Sequence, residues 1–190
     1  MRRLIILRRL TRLKKFVCML CLLTGMAWLY VQPVQAQKKE IAAAKDLVKA
    51  GKNLDQAQQN MEKLLLDSAN RTNRKIWAVL YDAVRKQYEQ GNEQLYLKQK
   101  YDTTKLFSLT RQLFVIAEGI DSVESIPNRK GKVEIESRKG HAEYLNQIRP
   151  NLYNGGSWFV RKQHFAESYR FFDKYISCAH IPLFDCYDYQ

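Results

Sequence analysis

Between Ile41 and Ile148 the apolar residues return at steps of three and four and almost nowhere alternate, which confines the chain to packed helices. Ile41, Ala44, Leu47 and Val48 form one stripe that stops at Gly51, and Leu54, Ala57, Met61, Leu64 and Leu65 form the next. Asn53, three residues before Gln56, has the spacing of a capped helix start, so the first unit reads as a helical hairpin. The polar run from Ser68 to Asn73 predicts a turn. Ile76, Trp77, Leu80, Tyr81, Val84 and Tyr88 mark a third helix ending near Gly91, and a further helix is expected to carry Leu95 and Tyr96. Asp102 is placed to cap the next, whose stripe of Leu106, Leu109, Leu113, Ile116, Ala117 and Ile120 ends close to Gly119. Residues 121–137 are rich in Ser, Glu, Asn, Lys and Gly and hold Pro127 as a breaker, which predicts a surface loop. Within it Lys132 to Ile135 is the one short alternation, too short to pair with anything visible. Ala142, Leu145 and Ile148 carry a helix from near His141 to Pro150, and two more helices flank a turn at Gln163 and His164. The expected fold class is all-α.

The first residues have a different character. Arg2, Arg3, Arg8, Arg9, Arg12, Lys14 and Lys15 stand with no acid among them, and residues 16–31 are apolar apart from Thr24 and Gly25. These are the basic and hydrophobic regions of a secretory signal. Val34 and Ala36 place small side chains where a signal peptidase requires them, just after Pro33, so residues 1–36 are expected to be a signal peptide cleaved after Ala36. The product, residues 37–190, would be periplasmic or secreted. A membrane anchor formed by residues 16–31 is the alternative, and it is shorter than the ~20 residues a spanning helix needs. Cys18 and Cys21 lie inside the apolar run and neither follows the small residue that lipid attachment requires.

The whole chain has 32 basic and 19 acidic residues, a net charge of +13. Seven of the basic residues leave with the leader, so 25 face 19 and the remainder carries +6. That is a solvated surface with a basic tilt. Basic and aromatic residues do not interleave as a stacking platform, which argues against nucleic acid as a partner, while an acidic envelope polymer is compatible with the charge. In an oxidising compartment Cys178 and Cys186 are candidates for one disulfide, with two separate thiols as the alternative.

Residues 149–181 read RPNLYNGGSWFVRKQHFAESYRFFDKYISCAHI. On spacing alone Leu152, Gly156 and Phe159 share one helix face, and Phe165, Ser168, Phe172 and Ile176 share another that opposes it. The segment resembles one tetratricopeptide (TPR) unit: Leu152, Gly155, Gly156 and Phe159 match its first helix, and Phe165, Ser168, Phe172 and Ile176 its second. Tyr175 and His180 stand where that pattern usually has Ala and Pro. Ala57, Met61 and Leu64, and later Tyr96, Tyr101, Thr104 and Phe107, echo the unit without the constant period of a regular array. The chain is thus similar to the N-terminal part of exported TPR-like proteins of bacteria with an outer membrane. The resemblance implies antiparallel helix pairs stacked as an α-α superhelix, with a groove lined by the first helices. In that arrangement Tyr153, Ser157, Val160 and Arg161 would face a protein or peptide, and packing against a neighbouring helix is the other reading for Tyr153. Tyr153 and Ser157 replace the basic and asparagine residues of TPR carboxylate clamps, which disfavours that role.

Catalytic patterns are absent from the sequence. His141, His164 and His180 are far apart and have no metal-ligand spacing, and Gly155-Gly156 has no phosphate-loop context. Glu134 and Glu136 lie in a polar segment where no apolar pocket would separate their pKa values. No cofactor, metal or catalytic residue is therefore expected. The leading expectation is an exported interaction scaffold; an envelope enzyme or its accessory domain and a polymer-binding protein are the alternatives. Pro182 and the few residues after it leave no room for a capping helix, so residues 165–190 are expected to expose apolar surface. That predicts self-association or a place in a longer repeat array.

Overall fold

The computed structural model describes residues 35–189, and the leader up to residue 34, where the signal or anchor is expected, lies outside them. The chain divides into two compact units, Met1–Ala42 and Ala43–Gln190. Of the first, residues 35–42 are described, and they lie in helix α1, which is described over 35–50. The second unit holds the rest of α1 and six further helices: α2 (Leu54–Leu66), α3 (Arg74–Tyr96), α4 (Thr103–Glu124), α5 (Arg138–Ile148), α6 (Pro150–Arg161) and α7 (Phe165–Ser177). Short 3-10 turns follow at Ser68–Asn70, Cys178–His180 and Pro182–Phe184. Among the described residues there is no strand, and the fold class is all-α.

The stripes seen in the sequence are the buried faces. Ala44 and Val48, then Leu54, Ala57 and Met61, pack toward Ile76, Leu80, Val84 and Tyr88, and Leu106, Leu109, Leu113, Ala117 and Ile120 continue the same core. Burial of each such side chain stabilises the fold by ~1.5–3 kcal/mol. The most extensive helix interfaces are α2 with α3, α3 with α4, and α6 with α7, while α4 also touches α5, α6 and α7. Gly51 ends α1 in the left-handed region (φ 65°), where its N–H donates to Val48 O, and Lys52 N–H donates to Leu47 O. Lys86 Nζ then donates to Val48 O at 2.7 Å and Gln90 Nε2 to Gly51 O at 3.0 Å, tying the end of α1 to α3.

Several boundaries differ from the sequence reading. Asn53 does precede α2, but in a left-handed conformation and without a side-chain cap. Asp67 and Asn73 cap the turn and α3, as Asp102 caps α4, each accepting an N–H two residues on. Helix α3 runs through Gly91 to Tyr96 in one piece, because the glycine makes room for the Tyr101 ring rather than ending the helix. In the same way α4 passes Gly119, over which Trp77 packs, and reaches Glu124. The loop is therefore 125–137. It is pinned at its end, since Glu124 Oε2 accepts from Glu136 N, Ser137 N and Ser137 Oγ at 2.9–3.1 Å. Arg138 holds Asp121 in a two-pronged ion pair at 2.6 and 2.9 Å.

The C-terminal segment departs from expectation only after α7, since Phe165, Tyr169 and Ile176 of that helix do stay exposed. Cys178, Leu183 and Phe184 are buried, Phe184 lies 5.7 Å from Phe114 of α4, and Tyr189 Oη donates to Asn146 Oδ1 at 2.7 Å. A proline-started 3-10 turn has replaced continuation of α7 and folds the tail back over α4 and α5.

Candidate interaction surface

Pro150 opens α6 at a position where its missing N–H costs nothing. The turn to α7 is closed by Gln163 N–H donating to Val160 O and His164 N–H to Phe159 O. Leu152, Gly155, Gly156 and Phe159 are buried, as the spacing requires. A β-carbon on Gly155 would lie 2.7 Å from the Phe171 ring, and one on Gly156 would lie 2.7 Å from the Phe172 ring. The two glycines thus let aromatic rings of α7 rest on the α6 backbone, and Ser168 Oγ donates to Gly156 O at 3.0 Å between them.

On α7 the reading from spacing is partly overturned. Ser168 is buried, but the core aromatic is Phe171, 1% exposed, and Phe172 is half-buried. Phe165 and Ile176 are 65% and 63% exposed, together with Tyr169 at 69%. Helix α7 carries two apolar stripes, and periodicity cannot rank them. The tie is broken by tertiary partners: Gly155 makes room for Phe171, and Lys174 reaches Glu118 of α4 at 2.8 Å, which turns the Phe165–Ile176 stripe outward.

Of the four residues proposed to meet a partner, Tyr153, Val160 and Arg161 are exposed and Ser157 is half-buried. Tyr153 and Val160 stand on the side of α6 that carries Gly156, and the Tyr153 ring lies 5.6 Å from Phe172 and 5.9 Å from Tyr175. Tyr153 therefore packs on α7 while leaving 54% of its surface open. The hairpin brings Tyr153, Val160, Phe165, Tyr169, Phe172 and Ile176 to one side, whereas Arg161 lies further round α6. Trp158 faces the other way, 6.2 Å from Phe107 of α4 with Lys162 above its ring. The exposure of Phe165, Tyr169 and Ile176 agrees with the apolar surface expected within residues 165–190, and the i, i+4, i+7, i+11 spacing of 165, 169, 172 and 176 was its signal.

Cys178 and Cys186 are separate free thiols, one buried and one exposed. Cys178 Sγ donates to Lys174 O, and burial, opposed by Arg149, pushes its pKa up to about 11. Cys186 lies on the wall of a cavity of about 610 Å³ with Ile135, Ala142 and Leu183. His141 is half-buried against Tyr81 rather than at the surface, and burial lowers its pKa. Among the described residues no cluster of His, Cys, Asp and Glu could hold a metal ion, and no helix is long and apolar enough to cross a membrane.

Fold and surface together define an all-α protein with exposed apolar residues on its α6–α7 hairpin. Comparison of the chain with protein-family models, with curated proteins and with solved structures finds no match.

Proposed function

We propose that this chain is an exported, TPR-like helical scaffold that binds a protein or peptide through the outer side of α6–α7. The observation behind this reading is the grouping of Tyr153, Val160, Phe165, Tyr169 and Ile176, each exposed, on one side of a hairpin whose inner side buries Leu152, Phe159 and Phe171. Scattered apolar residues are ordinary on a surface, but a contiguous group of this size marks an interaction site. Aromatics in such a group supply large contact area at small entropic cost. The basic leader followed by an apolar run supports export. Photo-crosslinkers placed at 153, 160 and 169 in cells expressing the whole chain test the reading, with Lys130 as the control site. Partner-specific adducts at the first three and none at Lys130 are expected; equal labelling at all four sites would refute it.

A further inference from the structure

The apolar residues exposed on α6 and α7 are placed symmetrically. On α7 the stripe of Phe165, Tyr169, Phe172 and Ile176 advances by steps of four, three and four, which read the same in both directions about the point between residues 170 and 171. On α6, Tyr153 and Val160 stand equally far from the point between residues 156 and 157. Packing of the hairpin puts those two points at one level: Gly156 O accepts from Ser168 Oγ at 3.0 Å and the Phe172 ring rests on the same glycine, so Gly156 lies opposite the residues midway between 168 and 172. A half-turn about an axis through that level brings the pattern back onto itself, with Phe165 over Ile176, Tyr169 over Phe172 and Tyr153 over Val160, each helix antiparallel to its counterpart. A two-fold contact between identical chains requires such self-complementarity, and an unrelated partner does not.

The area suffices as well. Aromatic side chains contribute ~150–250 Å² each, and with Tyr153, Phe165 and Tyr169 exposed by 54–69%, together with Ile176 and Val160, one copy offers on the order of 500 Å². Two copies then bury roughly 1,000 Å² before any polar rim is counted, the size at which contacts between folded proteins become specific. Charges beside the stripe do not oppose the contact. Arg170, nearest the axis, is already paired with Glu167 at 2.7 Å. The half-turn carries the exposed Asp173 of one copy to within two residues, ~3 Å of helix rise, of the level of Arg170 on the other.

We propose, on the reading of the α6–α7 face as an interaction surface, that its occupant is a second copy of this chain, in a two-fold dimer with α7 antiparallel to α7 and α6 antiparallel to α6. The stripe from Phe165 to Ile176 is the apolar centre of that dimer, and Tyr153 and Val160 extend it on α6.

Protein recovered from cells expressing the full chain is sedimented over a range of concentrations, with a thiol reductant present so that the exposed Cys186 does not link copies. A monomer–dimer equilibrium is expected. Tyr169→Arg and Ile176→Arg, both at exposed positions, should each weaken it at least about tenfold and leave the far-UV spectrum unchanged. Leu66→Arg, at an exposed position on α2, should leave the equilibrium as it is. A photo-crosslinker at 165 should give an adduct of twice the chain's mass that maps near residue 176 of the other copy, and one at 153 should map near 160; along one helix 165 and 176 are ~16 Å apart, beyond the reach of a short crosslinker. An association that both arginine variants leave intact, or crosslinks from 165 that map to 165, overturns the proposal. So does a monomer at every concentration. If crosslinkers at 153 and 169 on that monomer capture another protein, the face is an interaction surface with a different occupant; if they capture nothing, the reading of the face falls too.

Discussion

Gly155 and Gly156 sit under rings of unequal freedom. Phe171, over Gly155, is sealed in the core with Phe107 Cβ also close by, whereas Phe172, over Gly156, is half-buried and can move outward. Alanine gains ~1 kcal/mol of helix propensity at either position, and overpacking against a fixed ring costs ~1–3 kcal/mol. Gly155→Ala is therefore expected to lower the urea midpoint, and Gly156→Ala to change it much less. The aromatics of α7 rank the same way: Phe171→Ala should cost ~3–5 kcal/mol, Phe172→Ala roughly half that, and the exposed Phe165→Ala less than about 0.5 kcal/mol. Equilibrium unfolding of the three variants checks the order, and a larger loss for Phe172 than for Phe171 would restore the stripe read from spacing. The thiols differ too. The buried Cys178, with its pKa near 11, should react with a maleimide orders of magnitude more slowly than the exposed Cys186.

At the scale of the elements, the contact of His141 on α5 with Tyr81 on α3 makes stability depend on pH. Burial holds the His141 pKa below the ordinary imidazole value of 6.5; Arg85 on α3 adds to the lowering, and Glu124 and Asp121 on α4 oppose it, with the Tyr81 ring tilted against the imidazole, centroids 4.1 Å apart. Between the folded and unfolded values the unfolded chain binds a proton that the native chain does not, so stability rises with pH through that window. His141 therefore costs the fold nothing above about pH 6.5 and destabilises it increasingly as pH falls toward its lowered value. Asp82 acts oppositely and in a more acidic range, since burial raises its carboxyl above 3.8 and favours the native state where that group is protonated. Urea midpoints taken from about pH 7.5 to 5.5 should fall for the wild type and flatten in His141→Gln. A slope that the substitution leaves intact would assign the effect to another group.

For the whole molecule, continuous helical stripes and scattered histidines predict a far-UV spectrum dominated by helix and unchanged by a chelator, in contrast to metal-dependent small folds. Intact mass of the exported product should begin at Gln37, and recovery of the chain in the membrane fraction with Met1 or Arg2 retained would show an anchor instead. The sequence by itself determined the class of fold and most of the buried positions, because a period of three to four is a local property that survives any packing arrangement. It also held the cap at Asp102, which depends on an N–H only two residues away, whereas Asn53 has the spacing of a cap without making one. Tertiary structure alone decided whether Gly91 and Gly119 end a helix or receive a ring, since the rings that fill those positions belong to Tyr101 and Trp77. It decided which of the two apolar stripes on α7 is core, through Gly155 and the reach of Lys174 to Glu118. And it alone brought Tyr81 of α3 against His141 of α5, a pairing with no spacing signal, because the two helices meet only in three dimensions.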